Sequence, residues 1–193
     1  MIFLPRRALL CLGAAAALAG CAAPPTLYYR LAALPGTQLG NVTKSIRIRN
    51  IMLPDYLDQT GIAKPSPKYQ FASFANALWD EPLANMLQST MVQNLSQRLP
   101  NATILQSDGG IGAPADIFVE INLLRFDPDP SGAIQFCAQI ALRTAGTAAP
   151  FLTKTLKNSA TPATQTPADI AATMSVIWAG AADQIAQFAA QTE

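Results

Sequence analysis

The chain has 193 residues, 50% of them hydrophobic and 13% charged, and it contains no histidine. That length suits one globular domain, and the missing imidazole removes Ser-His-Asp and Cys-His catalysis, His-ligated metals and the usual switch near neutral pH. Thirteen Lys and Arg against twelve Asp and Glu create no field that would collect nucleic acid, so no such partner is expected.

At the N-terminus, Arg6-Arg7 precedes an apolar run from Ala8 to Ala19, then Gly20 and Cys21. This is the anatomy of an export signal. As a helix the run would cover only ~18 Å, short of the ~30 Å of a bilayer core. It ends in Leu18-Ala19-Gly20-Cys21, which resembles the lipobox of bacterial lipoproteins. That resemblance implies a signal peptide over residues 1–20, an acylated Cys21 as the first mature residue, a lipidated tether over 21–26 and one domain over 27–193. Several acyl chains make such an anchor effectively permanent. By the sorting rule of such lipoproteins, Ala22 at the second mature position directs the chain to the periplasmic face of the outer membrane. The tether, Ala22 to Thr26, reaches at most ~18 Å, which keeps the domain close to the bilayer. Removing residues 1–20 takes Arg6, Arg7 and Cys11 away, leaving the acids ahead by one and Cys137 without a disulfide partner.

Along the mature chain, Thr26 to Leu34 reads as a strand ended by Pro35-Gly36. Ser45 to Leu53 alternates, slipping phase at Asn50 as a bulge would. Two short strands are expected around Ile62 and from Tyr69 to Phe74. Leu83, Leu87, Met91 and Leu95, joined by Met86, Val92 and Leu99, predict a helix from Glu81 to Leu99 with Asp80 as N-cap. Ala102 to Gln106 follows at once as a strand, which allows parallel pairing through the helical crossover.

Asp116 to Phe126 and Ala133 to Arg143 form the best hairpin. Ile117, Val119, Ile121 and Leu123 share a face of one arm, and Ile134, Phe136, Ala138, Ile140 and Leu142 a face of the other. The opposite face carries Glu120, Asn122, Gln135, Cys137, Gln139 and Arg143, so it is solvated or covers a polar interface. Phe151 to Leu156 is a further strand candidate. Thr166-Pro167-Ala168-Asp169 caps a long helix to about Ala190, burying Ile170, Met174, Ile177, Trp178, Ala181, Ile185 and Phe188. The fold class is α+β: a mixed or mainly antiparallel sheet with two principal helices packed on it in a single domain.

Candidates for chemistry are few. Asp127-Pro128-Asp129-Pro130-Ser131-Gly132 has the first-half spacing of a calcium loop, but position twelve is Ala138 where a bidentate glutamate is needed, so a proline-rich turn is expected. Cys137 has no histidine to activate it and reads as a small strand residue. Asp55 and Asp58 flank a turn, where carboxylates usually cap backbone N–H groups. No cofactor, metal or catalytic residue is assigned. Tyr28, Tyr29, Tyr56 and Trp79, with the crowd Tyr69, Phe71 and Phe74, leave two readings open: core packing, or an apolar patch for a lipid or partner.

Three motifs behind the lipobox carry a resemblance: Tyr28-Tyr29-Arg30-Leu31, Leu53-Pro54-Asp55-Tyr56-Leu57-Asp58, and Asn76-Ala77-Leu78-Trp79-Asp80-Glu81-Pro82-Leu83. In that order the chain resembles the PqiC/YmbA family of ABC-type transport auxiliary lipoproteins, over residues 21 to about 99, with Gln59 departing from an expected arginine. The resemblance implies a non-catalytic subunit, lipid-anchored in the outer membrane at Cys21, that docks a periplasm-spanning MCE-domain protein (PqiB-like) in a system moving lipids between membranes. Phospholipid is a candidate ligand, with Tyr28, Tyr29, Tyr56 and Trp79 as contact or structural residues. The run Ala179 to Ala182 permits close helix approach within one chain or in a homo-oligomer. The alternatives are an envelope structural or assembly lipoprotein with another partner, or a carboxylate-based enzyme.

Overall fold

The computed structural model describes residues 24–107, 109–148 and 150–191; the expected signal and Cys21 lie outside them. In chain order the described elements are β1 (Leu27–Tyr29), β2 (Ser45–Ile48), β3 (Gly61–Ala63), β4 (Ser73–Trp79), α1 (Leu83–Arg98), β5 (Thr103–Gln106), β6 (Ile117–Pro128), β7 (Ile134–Thr144), β8 (Leu152–Ala160) and α2 (Pro167–Ala190). The strands divide into two sheets, β1-β4-β3 and β5-β2-β6-β7-β8. The α+β class with two helices on mixed sheets therefore holds, with strands in two sheets where one was expected.

The long hairpin forms because alternation lets one face of β6 and β7 leave water. Ile117, Val119, Ile121 and Leu123, and Ile134, Phe136, Ala138, Ile140 and Leu142, are all buried. A register shift between Leu123 and Arg125 leaves Leu124 unpaired and exposed, and Phe126 resumes the buried phase. Both helices lie on this inner face, α1 over β5 and β2 and α2 over β7 and β8, and they pack on each other. Trp178 of α2 is fully buried beside Phe126 and Phe136, with ring centroids 6.2 and 6.0 Å away, and its indole N–H donates to the Leu87 carbonyl at 3.0 Å. No helix among the described residues is long and apolar enough to cross a membrane.

Several boundaries differ from the sequence reading. β1 is only three residues long, because beyond Tyr29 the chain leaves the sheet for the helices. Asp80 does not cap α1; its backbone N–H donates to the Tyr29 carbonyl and its carboxylate pairs with Arg30 at 2.9 Å. Glu81, preceding a proline, is biased away from helix. Pro82 is the N-cap, with no side-chain cap, and α1 starts at Leu83. Tyr69 to Ala72 form a loop, and the strand begins at Ser73. Of the face expected of α2, Phe188 is only partly buried. The expected Thr166 cap is present: its hydroxyl accepts from the Asp169 backbone N–H, with Pro167 in the first turn. The slip at Asn50 also appears: β2 ends at Ile48, and the chain rejoins β6 where the Met52 N–H donates to the Ile121 carbonyl. β5 pairs parallel to β2, as the crossover allows.

Candidate functional site

The N-terminal region enters the fold on a sheet edge. β1 pairs parallel with β4, Leu27 opposite Ala77 and Tyr29 opposite Trp79. Leu27 and Tyr28 are exposed, at 53% and 66%, while Tyr29 is partly buried against the core. The two tyrosines thus face opposite sides of the strand, as adjacent residues must.

After β1 the chain becomes a strap held between α1 and α2. Its backbone groups cannot pair in a sheet there, so helix side chains serve them. The Leu31 N–H donates to the Met86 sulfur at 3.1 Å, the Ala32 N–H to the Ser175 hydroxyl at 3.0 Å and the Leu34 N–H to Asn94 Oδ1 at 2.9 Å. Arg98, 1% exposed, secures the strap's far part. Its guanidinium donates to the carbonyls of Leu34, Asn94 and Ala179 and pairs with Asp183 at 2.7 Å. Gly36 crosses directly over that guanidinium, where a Cβ would lie 2.3 Å from Arg98 Cζ. Sequence reasoning missed Asn94, Arg98 and Ser175; polar residues on otherwise apolar helix faces were the available signal.

Tyr56 lies over the end of β6. Its hydroxyl donates to Asp127 Oδ1 at 3.0 Å, which also accepts from Arg125 at 3.1 Å, and its ring meets Phe71 edge-on at 5.5 Å. Burial, reinforced by the Asp127 charge and hydrogen bond, pushes the phenol well above its ordinary value. Trp79 is buried, its backbone N–H bonded to the Thr60 carbonyl. The structure does not bring the four aromatic candidates into one cluster: Tyr28 faces outward, Tyr29 and Trp79 flank the β1–β4 ladder, and Tyr56 joins Phe71 and Asp127.

The other candidates are structural in their surroundings. Asp129 accepts from the backbone N–H groups of Ser131 and Ala133, the Ser131 hydroxyl and Gln135; these bonds, the Ser131 hydroxyl first, hold its carboxyl below the usual range. Ala138, where a calcium loop needs its glutamate, is fully buried between Leu123 and Leu156 in the ladder. Asp55 and Asp58 are exposed on a turn closed by the Asp58 N–H donating to the Asp55 carbonyl. Cys137 is half-buried on the outer sheet face, opposite Arg125 on one side and Lys157 on the other. Neither cation is near it in sequence; only the strand register reveals them.

Among the described residues, no helix covers the outer face of the five-stranded sheet. That face forms a shallow basin of about 550 Å³ lined by Arg49, Met52, Glu120, Asn122, Gln139 and Thr153, among others. Glu120 lies between Arg49 at 3.6 Å and Arg143 at 3.5 Å, and the Arg49 guanidinium covers the Phe118 ring at 4.9 Å. Such a basin can bind a polar surface; it contains no nucleophile paired with a base.

A family model described as the ABC-type transport auxiliary lipoprotein component matches residues 29–186. The chain is also 32% identical, over 88 residues, to the intermembrane transport lipoprotein PqiC of Escherichia coli strain K12 and to that of Shigella flexneri. The alignment covers 43% of this chain and 47% of each relative, about half their length. Among solved structures, a Xanthomonas campestris protein superposes with a TM-score of 0.73 at 14% identity, covering 86% of this chain and 96% of that one. A second, described as an uncharacterized protein, gives 0.71 at 19% identity and covers 86% and 99%. At such identities the likeness is one of fold.

Proposed function

Because the chain belongs to the ABC-type transport auxiliary lipoprotein family, we propose that it is a non-catalytic, outer-membrane-anchored subunit that docks an MCE-domain protein of the PqiB kind in lipid transport between two membranes. The carrying observation is the family match, which runs from Tyr29 at the end of β1 through most of α2 and so includes the strap, Tyr29, Tyr56 and Trp79, while Cys21 and Tyr28 precede it. The relatives' description as intermembrane transport lipoproteins supports the same reading. Cys21 is the acylated residue in this proposal, and the short stretch between it and Leu27 holds the domain within ~20 Å of the bilayer.

The β6–β7 hairpin gives the domain two ends. One carries the turn at Asp129 beside the β3–β4 loop; the other carries residues 109–116, 145–148 and 150–151, with Ile111 and Phe151 exposed. A partner arriving from across the periplasm would meet the second end and the open sheet face. The test is photo-crosslinking in intact cells from probes at Ile111 and Gln139, followed by identification of the attached protein. Recovery of an MCE-domain protein supports docking. Recovery of only cell-wall or assembly factors would favour an envelope assembly lipoprotein and overturn this proposal.

A further inference from the structure

The pairing of β1 fixes which end of the domain its tether leaves from. β1 runs parallel to β4, with Leu27 beside Ala77, so residues preceding Leu27 head toward the start of β4 at Ser73. β3 runs antiparallel to β4, with Ala63 opposite Ser73, so the loop joining them projects from that same end. The six residues from Cys21 to Leu27 reach at most ~20 Å, and the four ladder positions between Ala77 and Ser73 occupy about 13 Å of that. A tether of that length is long enough for an acylated Cys21 to lie at the depth of the loop tip.

The tip has the composition of an interfacial anchor. Its sequence is Lys64-Pro65-Ser66-Pro67-Lys68-Tyr69-Gln70-Phe71. Tyr69 is 93% exposed and adopts φ 70°, a left-handed conformation rare for a bulky side chain. A local turn maintains that geometry: the Gln70 N–H donates to the Pro67 carbonyl at 3.0 Å, and the Ser66 hydroxyl to the Gln70 carbonyl at 2.8 Å. Phe71 is 38% exposed beside it. The Lys68 ammonium lies 5.0 Å from the Tyr69 ring centroid, and that of Lys64 5.9 Å from the Phe74 ring. Two acids border the tip: Asp127 is paired with Arg125, and Asp129 remains an anion that faces into its own hydrogen-bonded turn, so Lys64, Lys68 and Arg125 outnumber the acids there by one. An aromatic ring with a polar end between cations suits the boundary of lipid headgroups and acyl chains.

We propose that the β3–β4 loop is a second membrane contact, with Tyr69 seated at the headgroup level of the bilayer that holds the acyl anchor and Lys64 and Lys68 facing its phosphates. The occupant is a lipid surface, and the proposal rests on the reading of Cys21 as the anchor. The test uses the full lipidated protein on vesicles of phosphatidylethanolamine and phosphatidylglycerol with brominated acyl chains. Tyr69→Trp is compared with Thr155→Trp on the exposed β8 strand, after subtracting the signal of Trp79 and Trp178 in the parent. Tryptophan at position 69 is expected to shift to shorter emission wavelength and lose about half its intensity, as a residue at the interface should, while that at 155 is unaffected. If the protein floats with the vesicles but both tryptophans stay unquenched, the loop contact is overturned while the anchor stands. If the parent fails to float, the anchor reading falls, and the loop contact with it.

Discussion

The two sheets of this domain are stabilised in different ways. The five-stranded sheet has strands of up to twelve residues, one face covered by two helices and an aromatic group of Phe126, Phe136 and Trp178 buried on that face near the β6–β7 turn. In the three-stranded sheet two strands have only three residues each, and its edge shows Leu27 and Tyr28 to water. Continuous apolar burial holds the first; single hydrogen bonds from side chains to backbone secure the chain that leaves the second. A region with few buried contacts opens at lower free energy and leaves residues available for binding.

Truncation at the centre of the body should have the largest effect. Trp178→Ala removes the side chain shared by both helices and the hairpin, together with the indole donor to the Leu87 carbonyl. A loss of ~3–5 kcal/mol is expected, measured as a lower urea midpoint. A cost under ~1 kcal/mol would show that the body is not held mainly by packing. Gly36→Ala tests the seam between the regions. The new Cβ would overlap the Arg98 guanidinium, which is fixed by three carbonyls and Asp183, so the strap must lift. About 1–3 kcal/mol should be lost, with faster amide exchange at Leu31, Ala32 and Leu34 as the distinguishing sign.

The smallest effect belongs to Tyr56→Phe, which loses one hydrogen bond to Asp127, about 1 kcal/mol at neutral pH. Its pH dependence sharpens the comparison. The folded phenol holds its proton above the ordinary value of 10.0, so its stabilisation is complete below that pH and is lost as pH rises toward the folded value. Wild type should therefore lose stability more steeply above pH 10.0 than Tyr56→Phe, read from denaturation midpoints across alkaline buffers. Equal slopes would mean that the phenol is not held protonated by the fold.

The same contrast explains what could be read from the amino-acid order. The hairpin and α2 were legible because their burial follows periods of 2 and 3.6 over many residues, as Ile117 to Leu123 and Ile170 to Ile185 show. The ends of β1 and α1 were not. Tyr29 accepts from the Asp80 N–H, and that tertiary bond takes the place of the local cap expected there. Arg98, Asn94 and Ser175 stand on apolar helix faces in the sequence, but what they serve is invisible until the strap is placed between the helices. Tyr28 and Tyr56 are visible as aromatic letters, but only the register and the Asp127 contact show that one is exposed and the other committed. The cations flanking Cys137 were hidden for the same reason, being neighbours across the ladder only.

The parallel alignment of β1 with β4 also decides how the domain bears a mechanical load. A pull on the residues preceding Leu27, where the proposed anchor lies, runs along the strand axis, so the ladder bonds are sheared together and cannot be peeled one at a time. Whatever force passes β1 next meets Met86, Ser175, Asn94 and Arg98 in succession. Membrane undulation or a tugging partner would thus be resisted by a graded series of grips before the helices themselves felt any strain.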